Sequence, residues 1–337
     1  MDLKLALAVL AEDSSGIRHN IPRVRYGKWE TNSLGFRGKE VDLEKREGQI
    51  RIVCLGGSEA FGVFEDEGKE WPSKLGGMLR DQFPRVEVIN ASVAGLTLKR
   101  KKAYVERYVL PLKTDVMITT QGALLPITDS IRGVESKRLV SKVEGKRVKN
   151  SLEADPRTRT SIPVFPKLQE IVRGCLPGWL LTHIWTRRLR RRIREREKRY
   201  LIHKKPMDEV PGNIISEFEE DLRLFIQYLK ENHIFAILLT YPTLFTPSNR
   251  DIHENLLLSI RRLCVELSED GVIDASIKFN DAIRRIADRE SVVLIDNDLL
   301  MPKTLEYFVD YSHYTNKGAE FIAASMYHFL NRCELIK

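Results

Sequence analysis

Long apolar runs are missing from this 337-residue chain, and a short one stands at the start, Met1-Asp-Leu-Lys-Leu-Ala-Leu-Ala-Val-Leu-Ala11. It is too short to cross a bilayer. It also makes a poor secretion signal, because Asp2 precedes it and no clear cleavage region follows. Its apolar residues fit an amphipathic helix packed on the domain, and the location expected from this is cytoplasmic. Cysteine is scarce as well. Cys54, Cys175, Cys264 and Cys333 stand far apart without C-x-x-C spacing, which argues against a zinc or redox motif and implies no disulfide framework. Neither a metal nor an organic cofactor is called for. With 42% hydrophobic and 30% charged residues the composition is that of a globular protein, not a disordered one. The length suits one large α/β domain or two small ones, with a sizeable core.

What the chain does contain is organised around Arg51-Ile-Val-Cys-Leu-Gly-Gly-Ser-Glu-Ala-Phe-Gly62. Ile52 to Leu55 reads as a buried strand, and Gly56 and Gly57 let the backbone turn sharply after it. Ser58 then sits where an open α/β sheet delivers a strand's carboxyl end to a ligand crevice. A hydroxyl beside a backbone N–H is what acyl transfer asks of a nucleophile. Read alone, the stretch is equally well a glycine turn with an incidental serine. Near the other end, Asp310 and His313 stand three residues apart, just ahead of a predicted helix at Asn316–Leu330. That spacing can set a carboxylate beside one imidazole nitrogen and leave the other to act as a base. Alone, this pair reads better as a surface turn capped by Asp and His.

Between these ends the pattern alternates. Strands are predicted at 86–89, 115–120, 235–240 and 292–295, and helices at 71–83, 97–112, 254–267 and 275–287. Such alternation gives a parallel sheet covered on both faces, an α/β fold. Residues 126–212 interrupt it as an insertion after the third strand, and residues 1–50 form an N-terminal extension to what is expected to be a single domain. Ser130 to Pro166 is polar and without steady period, the pattern of a long loop. From Arg187 to Arg199 there are nine Lys or Arg and two Glu, a net of +7 in a chain whose total is +8. Trp185, Leu189, Ile193 and Tyr200 fall on one face of the helix predicted there. This face can pack while the cationic side meets solvent, an anionic surface or an anionic substrate. Nucleic-acid binding lacks support, since no binding module or aromatic interleaving accompanies the charge. Oligomeric state is not legible.

Taken together, the two ends resemble the SGNH hydrolases, the GDSL-like esterases and acylhydrolases. Thr31-Asn-Ser-Leu-Gly-Phe-Arg-Gly38, Asn90-Ala-Ser-Val-Ala-Gly95, Phe279-Asn280 and Val292-Val-Leu-Ile-Asp296 add to the likeness, which covers about residues 31–125 and 211–332. The resemblance implies a three-layer flavodoxin-like sheet with strand order 2-1-3-4-5. It also implies a catalytic triad of Ser58, His313 and Asp310, with an oxyanion held by the N–H groups of Ser58 and Gly95. By analogy with relatives the substrate would be an ester, among them an O-acetyl group on a carbohydrate. Two departures stand out. The family's third oxyanion donor is an asparagine in a Gly-x-Asn-Asp block, and here the block reads Gly122-Ala-Leu124-Leu, so that only a neighbour such as Gln121 could substitute. Gly57 replaces the aspartate of the family's name motif, an exchange read as the loss of a loop contact. The alternatives are a degenerate member that binds an acylated or glycan partner, and a phosphate-binding protein using Gly56-Gly57-Ser58. The latter lacks the lysine of a Walker motif.

Overall fold

The computed structural model describes residues 9–124, 126–127, 178–201 and 205–336. Two small antiparallel hairpins come first: β1 (Leu10–Glu12) with β2 (Arg18–Asn20), and β3 (Arg25–Tyr26) with β4 (Trp29–Glu30). Leu10 and Ala11 are therefore strand, not the end of an amphipathic helix; the rest of that predicted helix, up to residue 8, lies outside the described residues. Extended pairing satisfies their backbone across the hairpin, and Val9 buries its side chain with Trp29, Phe61 and Val63.

The main sheet follows, from β5 (Ile50–Leu55), β6 (Val86–Asn90), β7 (Val116–Thr120), β8 (Phe235–Leu239) and β9 (Val293–Ile295). All pairs are parallel, in the order β6-β5-β7-β8-β9. Counted within this sheet the order is 2-1-3-4-5, the doubly wound arrangement whose ligands lie outside the carboxyl ends of the strands at the switch point. Here the switch lies between β6 and β7, directly at the end of β5. The central strands β5 and β7 are buried on both faces, hence their continuous apolar runs.

Crossover connections between the parallel strands carry the helices. α1 (Ser58–Phe61) is a single turn after β5; α2 (Trp71–Arg80) packs on the C-terminal helix. α3 (Leu98–Tyr104) continues as a wider π-type turn to Val109 and a tight turn to Leu112, so the helix predicted at 97–112 is continuous but changes pitch. After α4 (Gly178–Tyr200) comes α5 (Gly212–Glu231), which packs between α3 and a later helix. α6 (Glu254–Arg261) is shorter than predicted, ending before residues 262–267. α7 (Glu269–Arg289) is longer than predicted, starting from a Ser268 cap whose side chain accepts from the Gly271 N–H. Gly271 masked that start in the pattern. A Cβ there would stand 2.1 Å from the Met207 carbonyl oxygen, so close passage of the chain dictates the glycine. α8 (Asn297–Leu300) and α9 (Asn316–Arg332) complete the order.

The inserted α4 carries the cationic run. Its Leu189 and Ile193 are buried against Leu258 of α6, while Arg190 pairs with Glu254 and Glu197 with Arg261. Leu189 and Ile193 of the expected apolar stripe thus pack, while the side chains of Trp185 and Tyr200 lie outside the described residues; Arg191 pairs with Glu195 on the helix itself, and Arg187, Arg188, Arg192 and Arg194 are exposed. The predicted loop at 130–166 lies outside the described residues. Among the described residues no helix is long and apolar enough to cross a membrane, and no cluster of His, Cys, Asp or Glu could hold a metal ion.

Candidate active site

β5 ends at Leu55 and the chain turns through Gly56 and Gly57 into α1. The loop after β6 braces this turn. Ser92 Oγ accepts from the Gly56 N–H at 3.0 Å and donates to the Cys54 carbonyl at 3.2 Å, while the Val93 N–H reaches the Gly56 carbonyl at 3.2 Å. Asn90 Nδ2 donates to the Ala60 carbonyl at 3.0 Å, which ties the far end of α1 to the same loop. Ser58 is thereby held at the sheet's carboxyl edge by backbone contacts on both sides.

Ser58 and His313, 255 residues apart, meet there. Ser58 Oγ lies 2.7 Å from His313 Nε2, and His313 Nδ1 lies 2.8 and 2.9 Å from the two Asp310 carboxylate oxygens. With Nδ1–H donating to Asp310, Nε2 is the acceptor for the serine hydroxyl. The Ser312 and His313 N–H groups also donate to Asp310 Oδ1, both at 3.0 Å, so the carboxylate is fixed by the loop it orients. Burial alone would lower the imidazole pKa. The Asp310 charge and hydrogen bond, with Glu59 and Glu65 beyond, outweigh burial and hold it above the ordinary histidine value. Burial likewise pushes Asp310 up, yet His313 and the two N–H donors leave its pKa below the usual carboxylate value.

Two carboxyl groups that sequence reasoning missed stand close by. Glu59 follows Ser58, is buried, and folds back so that its Oε1 accepts from the Gly57 N–H at 2.8 Å. Burial raises its pKa, against the pull of that N–H, its own N–H, His313 and Lys101. Lys101 is buried too; its Nζ donates to Thr119 Oγ1 at 2.9 Å and to the Thr120 carbonyl, and burial lowers its pKa while Glu59 opposes the shift. Glu65 is 1% exposed and burial pushes it up to about 7. It lies next to Phe64, whose ring centroid is 5.3 Å from that of His313. Arg37 fastens this loop: its buried guanidinium donates to the carbonyls of Phe61, Gly62, Glu65 and Asp66, with Glu70 3.6 Å from its Nε. A buried charged residue looks like surface in a sequence, and only its partners reveal it.

The remaining sequence candidates fall around the same edge. Gly95 has φ +77°, and the N–H groups of Ser58 and Gly95 donate to no acceptor among the described residues. Gln121 is buried; its Nε2 reaches the Gly122 carbonyl at 3.3 Å, and its Oε1 has no partner among the described residues. Leu124 packs against the main core and offers no donor. Asn280 holds the loop after β8, accepting from the Tyr241 N–H at 2.7 Å and donating to the Tyr241 carbonyl at 3.0 Å. Tyr241 in turn lies over Gly122, where a Cβ would stand 2.8 Å from the ring. A groove of about 1110 Å³ runs between the N-terminal extension and the β6 edge, but none of the lining side chains is Ser58, Asp310 or His313.

No family model matches the chain, and no curated protein matches it in sequence. Solved structures similar to it include an α/β hydrolase, LAE5, from the metagenome of Lake Arreo, Spain, at 15% identity and a TM-score of 0.45, covering 82% of this chain and 93% of that one. A putative lipolytic protein of the G-D-S-L family from Desulfitobacterium hafniense is 14% identical, with a TM-score of 0.44 over 83% of this chain and 99% of that one. The acetylxylan esterase Axe2 from Geobacillus stearothermophilus is 13% identical, with a TM-score of 0.46 over 86% and 96%. These likenesses concern the course of the chain and not the chemistry of its side chains.

Proposed function

We propose that this protein is a serine ester hydrolase. The observation that carries the reading is the hydrogen-bonded chain from Ser58 Oγ through His313 to Asp310 at the carboxyl end of the parallel sheet. Ser58 attacks the ester carbonyl carbon as His313 Nε2 takes the hydroxyl proton, and Asp310 stabilises the imidazolium that forms. The Ser58 and Gly95 N–H groups, which have no acceptor of their own among the described residues, are available to the developing oxyanion. Collapse breaks the ester C–O bond, and the imidazolium returns its proton to the leaving alcohol. Water, activated by the same imidazole, then releases the acid and restores Ser58. The acyl group proposed is short, an O-acetyl ester on a carbohydrate, following the family resemblance of the sequence motifs.

The test is reaction with a fluorophosphonate probe, read by peptide mapping, together with hydrolysis of short-chain aryl esters. Labelling is expected on Ser58, and Ser58→Ala and His313→Ala are each expected to bring hydrolysis to background. Unchanged turnover in Ser58→Ala removes the serine from the mechanism. An unlabelled, inert but folded parent supports instead a domain that binds an acylated partner without turnover.

A further inference from the structure

The N-terminal hairpin brings a cation to Gly95. Along β2 side chains alternate, so Arg18 and Asn20 share one face. Asn20 Nδ2 donates to the carbonyls of Gly35 and Ser92, both at 3.0 Å, which clamps the hairpin to the loop after β6. Two residues back, Arg18 reaches Gly95 in that same loop: its Nη1 lies 2.8 Å from where a Cβ on Gly95 would stand. The guanidinium is only loosely committed. Nη2 approaches Glu12 at 3.4 Å, and Nη1 and Nε donate to no acceptor among the described residues. The side chain is 31% exposed, so it is held by the hairpin yet open to a solute.

From this we infer that Arg18 donates a hydrogen bond, beside the Gly95 N–H, to the substrate's carbonyl oxygen as it becomes an oxyanion. The inference rests on the serine-hydrolase reading. A guanidinium stays charged at any working pH, and its N–H groups form charge-assisted bonds that strengthen as the oxygen gains negative charge. The other side chains expected at this edge do not compete for the role: Leu124 has no donor, and the Gln121 amide nitrogen is turned to the Gly122 carbonyl.

The test compares the parent, Arg18→Ala and Arg18→Lys on a neutral short-chain aryl ester. Loss of one oxyanion donor in other serine hydrolases costs about 10²–10³ in turnover. In Arg18→Ala kcat is expected to fall by roughly this order with KM nearly unchanged. Arg18→Lys, which keeps the charge but not the fork, should fall between. Millimolar guanidinium ion should restore part of the Arg18→Ala turnover and leave the parent unaffected. The role is overturned if kcat is unchanged in both variants, if only KM for anionic esters rises, or if a loss resists rescue and accompanies an equal loss of thermal stability. Ser58-dependent turnover in the parent with indifferent Arg18 variants overturns the arginine's role alone. A parent without Ser58-dependent turnover overturns the hydrolase reading and this role with it.

Discussion

Replacing Glu65 by glutamine tests the electrostatics of the site in two independent ways. The carboxyl is 1% exposed, its Oε2 accepts from the Phe64 N–H at 3.1 Å, and its Oε1 has no partner among the described residues. Burial raises its pKa from an ordinary 4.5 to about 7. Between these values the unfolded chain has released the proton that the folded chain retains. Stability attributable to this group therefore falls as pH rises through that window, and the loss is complete above pH ~7. At ~1.4 kcal/mol for each tenfold difference in proton affinity between the folded and unfolded chain, the full loss is on the order of 3 kcal/mol. Glutamine keeps the bond from Phe64 and cannot ionise. Its amide nitrogen lacks an acceptor, which costs about 1–3 kcal/mol but equally at every pH. In urea denaturation across pH 4 to 9, the difference between Glu65→Gln and the parent should therefore tilt toward the variant as pH rises, by roughly 3 kcal/mol in all. The same anion helps hold the His313 pKa above its ordinary value, so the acid limb of the rate profile should move to lower pH in the variant. A stability difference that is flat with pH would refute the argument that burial controls this carboxyl.

Asp310→Asn keeps the loop's shape but removes the charge facing the imidazole; turnover should drop by up to about four orders of magnitude, the cost of the same exchange in a serine protease, with a small remainder above Ser58→Ala. Because the His313 pKa stands above its ordinary value, kcat/KM of the parent should rise with pH as that proton is lost, and the limb should begin higher than for a free imidazole. Leu124→Asn offers an N–H donor near Gln121: its gain in turnover should stay below roughly 10²–10³ in the parent and be larger in an Arg18→Ala background, where a donor has been removed. Neutralising Arg187, Arg188, Arg191 and Arg194 together should leave hydrolysis of small neutral esters intact. It should weaken binding to anionic vesicles, most at low ionic strength; no binding by the parent would mark this face as solvated surface.

The sheet was legible because buried parallel strands read as uninterrupted apolar runs, as at Ile52–Leu55 and Val116–Ile118. That Ser58, His313 and Asp310 would meet at one edge was legible through their order along the chain and the glycine turn before the serine. The two hairpins were not. Pairs of two or three residues leave no period to detect, and their apolar anchors, Val9 and Trp29, are single residues. α5 shows an apolar stripe through Ile215, Phe218, Leu222, Phe225 and Leu229, yet it directly follows the stretch where the strand–helix alternation of the sequence breaks, and that boundary hid its start. Arg37, Glu59, Glu65 and Lys101 escaped notice for a different reason. Burial of a charge is a property of what packs on it, and no spacing within the chain announces it.

The position of Glu59 has a consequence for which neighbouring sequences this fold can reach. The absent aspartate at 57 is not simply a lost loop contact: a Cβ on Gly57 would stand 2.7 Å from Glu59 Oε2, and one on Gly56 2.8 Å from Glu59 Oε1. A carboxylate is present beside the turn, supplied from two residues further on. The two positions are therefore an either-or pair. Gly57→Asp would force two carboxylates into one dry space, whereas the same change after Glu59→Ala meets a vacated one. Gly57→Asp alone should be deleterious and the double change with Glu59→Ala much less so. The two spellings of this turn are thus separate peaks, joined only by a path that first gives up the carboxylate altogether.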